Sequence, residues 1–319
     1  MASNLMADCR VIAPAKINLH LEVLGLRPDG YHELAMLMQS IDLADQLDFV
    51  GRSDGEITLR CNRSELPLGP DNLIVQAAER LRAHAGLEER GVAILLEKRI
   101  PIGAGLAGGS SDAAATLIGL DRLWGLGTPR PVLAELAAQL GSDVPFCLEG
   151  GSQLCFGRGE RMEACPGPTS PLGVLLLKHP QVSVSTPWAY GRCREWRGDF
   201  YLSQEADFEQ RRQALRQSTL LQGLRGQAPL PPLRNDLQAV VAPEVPSVAL
   251  ALELLQQRPE AMAVAMSGSG PTVFGLFGTV QAAGQVEEAL AEALQVAGLE
   301  SWCCALRDSG VSLVEAALP

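Results

Sequence analysis

The residues best suited to chemistry form one run, Pro101, Ile102, Gly103, Ala104, Gly105, Leu106, Ala107, Gly108, Gly109, Ser110 and Ser111, which has the composition of a phosphate cradle. Its glycines omit the Cβ atoms that would hold an anion away from backbone N–H groups. Ser110, Ser111 and Asp112 then stand before Ala113, Ala114, Ala115, Leu117, Ile118, Leu120 and Leu123, an apolar run expected of a packed helix whose first turn a Ser or Asp can cap. A glycine loop feeding a helix N-terminus gathers unpaired donors and partial positive charge, which suits the phosphates of a nucleotide. The plainer alternative is a small-residue helix start needed only for tight packing. Three other groups have candidate roles. Lys16 and Asn18 share one side of an alternating strand, where Lys16 could equally be a solvated lysine. Asp143 is the one carboxylate in the tight loop Gly141-Ser142-Asp143-Val144-Pro145, and Asp beside Gly and Pro is commonly a turn or cap residue. Tyr31 and His32 follow the turn signal Arg27-Pro28-Asp29-Gly30, a tip able to recognise a base or simply to pack.

Two better-known phosphate loops compete for the cradle. The loop G-x-x-x-x-G-K-[ST] fails because no lysine precedes Ser110 or Ser111. Gly103, Gly105 and Gly108 satisfy G-x-G-x-x-G, but Arg99, Ile100, Pro101 and Ile102 separate the preceding strand from the first glycine. The acidic residue that would read a ribose is also missing, since Asp121 falls inside the helical pattern. A dinucleotide-binding oxidoreductase is therefore the weaker alternative.

The rest of the chain limits the partners. With 319 residues there is room for a substantial core and about two domains. A net charge of −11 argues against a nucleic acid or an anionic membrane as main partner and leaves a small molecule. The eight cysteines show no C-x-x-C pair, as expected of reduced thiols in a cytosolic protein. None of the four histidines forms H-E-x-x-H, so a zinc site has no support. No apolar run reaches membrane-spanning length, and the residues before Val11 lack a signal-peptide core, which makes the cytoplasm the expected location.

Periodicity supplies the elements that must position these groups. In residues 11–24, Ile17, Leu19, Leu21 and Val23 alternate with Lys16, Asn18, His20 and Glu22, giving a strand with one apolar and one polar face and a bulge or edge at Pro14. Further strands are expected at 56–61, 92–98, on both sides of Gly157-Arg158-Gly159, and at 173–178, 261–266, 273–277 and 302–306. Helices are expected from Asn72 to Gly86, from the cradle to about 124, at 131–140, across 208–225, up to about 257, and at 279–296. The run Pro166-Gly167-Pro168-Thr169-Ser170-Pro171 marks a boundary between residues 1–165 and 166–319.

Taken in order, PAKINLHLEV, PIGAGLAGGSSDAAA and MSGSGPTVFGLF resemble the three motifs of the GHMP kinase superfamily. RPDGYHEL, GSDVPF and VSTPWAY narrow the resemblance to a branch whose acceptor is a cytidine diphosphate-linked polyol of non-mevalonate isoprenoid synthesis. The resemblance implies an α+β fold: an N-terminal ATP-binding domain (1–165) like ribosomal protein S5 domain 2, a ferredoxin-like C-terminal domain (166–319), and an active site between them. It implies that residues 101–111 hold ATP, that Asp143 accepts the proton of the acceptor's 2-hydroxyl, and that Lys16 stands beside that hydroxyl. Asn18, Tyr31, His32, Thr186 and Tyr190 would bind the acceptor, with aromatic faces sandwiching the cytosine and His32 bonding its edge. Mg2+ is expected on the phosphates, with Ser110 or Ser111 as an oxygen ligand and no carboxylate ligand evident. Ala107 and Tyr190 are conservative departures from the pattern, whereas Trp188 and Cys193 fall in a variable stretch of the pocket wall. A homoserine- or mevalonate-type kinase of the same superfamily is the nearer alternative, and the oxidoreductase the more distant one.

Overall fold

The computed structural model describes residues 7–314. The first half runs β1 (Cys9–Leu26), β2 (His32–Arg52), β3 (Ile57–Cys61), α1 (Leu73–Ala85), β4 (Gly91–Glu97), α2 (Gly108–Trp124), α3 (Arg130–Leu140), α4 (Val144–Glu149), β5 (Ser152–Gly157) and β6 (Arg161–Ala164). The second half runs β7 (Gly173–Lys178), α5 (Thr186–Arg197), α6 (Glu205–Arg216), α7 (Thr219–Leu224), β8 (Arg234–Asn235), α8 (Gln238–Val241), α9 (Pro246–Gln256), β9 (Ala263–Met266), β10 (Val273–Phe277), α10 (Val280–Ala297), β11 (Glu300–Ala305) and β12 (Ser312–Leu313).

Two sheets organise these elements. The larger follows the order β12-β1-β2-β4-β3, with β5 paired to β2 and β6, and with β8 paired to β1. β2 serves two neighbours because it is long: residues 34–39 pair with β5, and residues 46–52 with β4. The smaller sheet is antiparallel in the order β11-β7-β10-β9, the strand arrangement of a ferredoxin-like β-α-β-β-α-β unit. The chain first crosses between sheets at residues 165–172, and β8 and β12 of the second half return to β1. Along β7, Val174 and Leu176 pack into the core shared with β1, β2 and β5, while Leu175 and Leu177 pack into the core that holds α9 and α10. This explains why β7 is continuously apolar: both of its faces are covered.

β1 departs from the simple alternation expected of it. Its register against β2 shifts between Pro14 and Lys16, again between Asn18 and His20, and again between Val23 and Gly25. Val11, Ala13, Leu21 and Val23 consequently join the core that includes α1 to α4, whereas Ala15, Ile17, Leu19 and Leu24 join the core between the sheets. Each extra residue reverses which parity faces which side. Lys16 and Asn18 are thereby moved onto the helix-facing row and buried at 4% and 1% exposure, and His20 and Glu22 no longer share their side. A solvated Lys16 is excluded.

Candidate active site

One cleft of about 980 Å³ collects most of the candidate residues. Along it lie Pro101 to Ser110 of the cradle, Lys16 and Asn18 of β1, Asp143 before α4, Tyr31 and His32 after the first turn, and Thr186 and Tyr190 of α5.

The cradle differs in detail from expectation. α2 begins at Gly108, with Ala107 as N-cap in the left-handed conformation (φ 56°) and no side-chain cap. Ser110, Ser111 and Asp112 therefore lie inside the first turns, not ahead of them. The N–H groups of Gly108, Gly109 and Ser110 have no intrahelical partner, and all three residues line the cleft. A side-chain cap would occupy donors that a phosphate needs. Gly105, at φ 73°, allows a close approach of another kind: a Cβ there would sit 2.5 Å from the Ser267 carbonyl oxygen. Ser111 is corrected from a ligand-binding to a supporting residue, because it is fully buried, does not line the cleft, and its hydroxyl donates to the Pro14 carbonyl at 2.7 Å. Ser110 remains on the cleft wall.

At the centre, Lys16 Nζ donates to Asn18 Oδ1 at 2.7 Å and lies 3.5 Å from Asp143 Oδ2. Asp143 occupies the N-cap position of α4 but makes no cap bond, so its carboxylate is free to face Lys16. The loop after β9 closes this centre: a Cβ on Gly268 would come 3.4 Å from Asn18 Oδ1 and 3.5 Å from Lys16 Nζ, and Ser269 shares a 2.9 Å hydrogen bond with Thr186. A proton acceptor, an ammonium group and an anion-binding helix end thus converge on one space, an arrangement suited to moving a phosphoryl group onto a hydroxyl.

The "GHMP kinases N terminal domain" model matches residues 72–151, and the "GHMP kinases C terminal" model matches residues 204–296. A protein of Synechococcus sp. (strain CC9605) named 4-diphosphocytidyl-2-C-methyl-D-erythritol kinase is 60% identical over 95% of this chain and 98% of its own length. A Prochlorococcus marinus (strain MIT 9303) protein of the same name is 61% identical over 95% of both chains. This chain belongs to the GHMP kinases. Among solved structures, a 4-(cytidine 5'-diphospho)-2C-methyl-D-erythritol kinase superposes with a TM-score of 0.74 at 33% identity, covering 93% of this chain and 98% of its own. Homoserine kinase from Cytophaga hutchinsonii reaches a TM-score of 0.69 at 19% identity over 98% of this chain and all of its own, which shows the shared fold alone.

As a GHMP kinase the protein uses ATP as phosphoryl donor, and the dinucleotide alternative is set aside. Among the described residues no helix is long and apolar enough to cross a membrane, and all eight cysteines are free thiols. Burial pushes the thiols of Cys147 and Cys155 up, which keeps both protonated and unreactive near the centre.

The aromatic groups that line the cleft are not arranged as a simple sandwich. His32 lies on Tyr190, ring centroids 4.9 Å apart, so no base fits between those two. Tyr31 is exposed beneath the Arg158 guanidinium, 4.7 Å from its centroid. Burial, with a smaller effect from Arg194, holds His32 below its usual pKa, so its ring is neutral at pH 7.

Sequence reasoning missed the support under the cradle. Lys98 is buried between Asp45 (2.5 Å) and Asp112 (2.7 Å), and Asp45 Oδ1 also accepts the N–H groups of Arg99 and Ile100. Burial raises the Asp112 pKa against the opposing pull of Lys98, while the two carboxylates outweigh burial and keep Lys98 charged. The polarity of Lys98 at the end of an apolar strand was a usable signal; its partner Asp45, distant in sequence, was not. Also missed were Leu66, Pro67 and Leu73, which extend the cleft beyond the cradle.

Proposed function

We propose that this kinase transfers the γ-phosphoryl group of ATP to the 2-hydroxyl of 4-diphosphocytidyl-2-C-methyl-D-erythritol. The supporting observation is the Lys16–Asp143 pair, 3.5 Å apart, in the same cleft that the cradle and the aromatic groups line. Residues 101–110 hold the triphosphate on loop and helix N–H groups, and the purine lies along Leu66, Pro67 and Leu73. Asp143 takes the hydroxyl proton as the oxygen attacks phosphorus, and ADP departs with the bridging oxygen. Lys16 stabilises the forming alkoxide, Asn18 orients Lys16 and the acceptor, and Thr186 fixes the glycine loop through Ser269. Tyr31, His32 and Tyr190 bind the cytidine, with the exposed Tyr31 ring as the available stacking face.

Residues 1–165 act here as the nucleotide half and residues 166–319 as the opposing wall, with β8 and β12 binding the halves together. Mg2+ would be carried on the phosphates of ATP. Ser110 offers a hydroxyl on the cleft wall, the Asp143 carboxylate is within the same cleft, and no cluster of three or more His, Cys, Asp or Glu suited to a metal occurs among the described residues. When bound, the ion neutralises phosphate charge. A cytoplasmic setting without nucleic-acid or membrane partners fits the net charge of −11. The test is incubation with ATP and a panel of alcohols, read by mass spectrometry. Phosphate should appear on the cytidylyl polyol and not on homoserine or mevalonate, and the reverse pattern refutes the assignment.

A further inference from the structure

The segment Arg234-Asn235-Asp236-Leu237-Gln238 has no expected role in the sequence beyond leading into a helix, yet in the fold it is a clip between the two halves. Asn235 is buried and pairs alongside Leu21 of β1. Its Nδ2 donates to the carbonyl oxygens of Met266 (2.7 Å) and Gly268 (2.8 Å), and its Oδ1 accepts the N–H groups of Leu237 (2.9 Å) and Gln238 (3.3 Å). Both donors and the acceptor oxygen of the side chain are thus committed. Gln238 Oε1 accepts the Met266 N–H at 2.8 Å, giving the same loop a second tether. On the other flank, the Asp236 N–H donates to the Leu21 carbonyl, and Asp236 Oδ2 accepts the Val23 N–H, both at 2.9 Å. β1, which carries Lys16 and Asn18, and the glycine loop after β9 are therefore tied to one short clip.

The other side of that loop faces the reacting centre, where Gly268 lies against Asn18 and Lys16, and where Ser267 Oγ donates to the Gly105 carbonyl of the cradle at 3.1 Å. The loop residues Ser267, Gly268, Ser269 and Gly270 are small and buried, so their position is set largely by the hydrogen bonds that reach their backbone and hydroxyl groups. We propose that Asn235 is a positioning residue for phosphoryl transfer: its amide sets the distance from the glycine loop to Lys16 and Asn18, and so fixes the space in which the acceptor hydroxyl meets the γ-phosphate. Misplacement by about 1 Å can cost about 100-fold in rate, so the two carbonyl contacts of Asn235, added to the tethers from Gln238, Gly105 and Thr186, bear directly on the reacting geometry.

This inference rests on the kinase reading, and the experiment separates the two. Asn235→Asp keeps the size and the acceptor side that serves Leu237 and Gln238, but replaces the donor with a carboxylate oxygen facing two carbonyls. With saturating ATP and cytidylyl polyol, kcat should fall by about 10- to 100-fold. KM for ATP and calorimetric ATP affinity should stay within about threefold, since the cradle keeps its own supports. Gln238→Ala, at a half-buried position, should lower kcat by a smaller factor, and the double variant should fall short of the product of the two. A wild-type kcat in folded Asn235→Asp, or a lowered Tm with kcat intact at 25 °C, overturns the proposal; if Asn235→Asp does not fold, a wild-type kcat in Gln238→Ala does so. A wild-type protein inert toward the cytidylyl polyol refutes the acceptor assignment instead, and the same variants are then read on the alcohol that wild type phosphorylates.

Discussion

Replacing Asp143 by Asn separates a general base from a turn residue, because the two roles predict opposite patterns of loss. The side chain makes no cap bond to α4, so the ~1 kcal/mol usually lost with an N-cap is not at stake. What stability it confers comes from Lys16 at 3.5 Å. That separation corresponds to about 5 kcal/mol of Coulomb attraction at an effective dielectric of about 20. With 32% of the Asp143 side chain exposed, screening and desolvation bring the net contribution down to about 1 kcal/mol or less. Such a loss shifts Tm by no more than about 4 °C in a protein of this size. A general base contributes about 10²–10⁴-fold to kcat, or roughly 3–5 kcal/mol of transition-state stabilisation. Asp143→Asn should therefore lose several kcal/mol in the transition state and almost nothing in the fold. The assay is ADP release at saturating substrates beside a thermal melt, with ternary-complex affinity measured by calorimetry using a non-hydrolysable ATP analogue. Lys16→Met should show the same pattern, and the double variant should be far less impaired than the product of the singles. An Asp143→Asn protein with kcat within threefold of wild type refutes the assignment.

Gly109→Val places a side chain at an open position whose nearest neighbour is Leu73 at 3.9 Å, so calorimetry should show ATP affinity down by tenfold or more with Tm nearly unchanged. Gly108→Ala should instead cost about 1–3 kcal/mol of stability by denaturant melt, because its Cβ meets Ile100 at 3.0 Å and Lys98 Nζ, held by two carboxylates, at 2.9 Å. Tyr190→Ala should raise KM for the cytidylyl polyol about tenfold and leave that for ATP alone; equal effects on both would make Tyr190 a packing residue. The pKa of His32 is depressed in the fold, so the unfolded chain takes up that proton first, and the contribution of neutral His32 to stability should be full above pH 6.5 and decline below it. The acid-side slope of stability against pH should diminish in His32→Gln, and an unchanged slope contradicts the assignment.

Much of this site was legible because it is written in local sequence. Glycines followed by alanines announce a loop and a packed helix wherever they fold, and β7, β9, β10 and α10 lie within a few residues of where periodicity places them. Asn72 and Gly86 likewise bound α1 as expected, the first accepting the Ile74 N–H and the second adopting the left-handed conformation. The failures share a physical cause. Whether an alternating strand shows a residue to solvent or to the core depends on register against its neighbour, and the shifts in β1 arise from pairing with β2, which no local pattern encodes.

The same non-local dependence explains the groups that were overlooked. Lys98 is stable in the interior only because Asp45 and Asp112 arrive from other elements, and Asn235 acquires meaning only when Met266 and Gly268 present their carbonyls to it. These residues shape the geometry around the centre without being recognisable as chemical groups. A motif therefore identifies what can bind phosphate, while the placement of the cradle and the glycine loop around Lys16 and Asp143 depends on contacts such as those of Lys98 and Asn235. A close copy of the three motifs on a chain lacking those contacts should bind ATP well and transfer phosphate poorly.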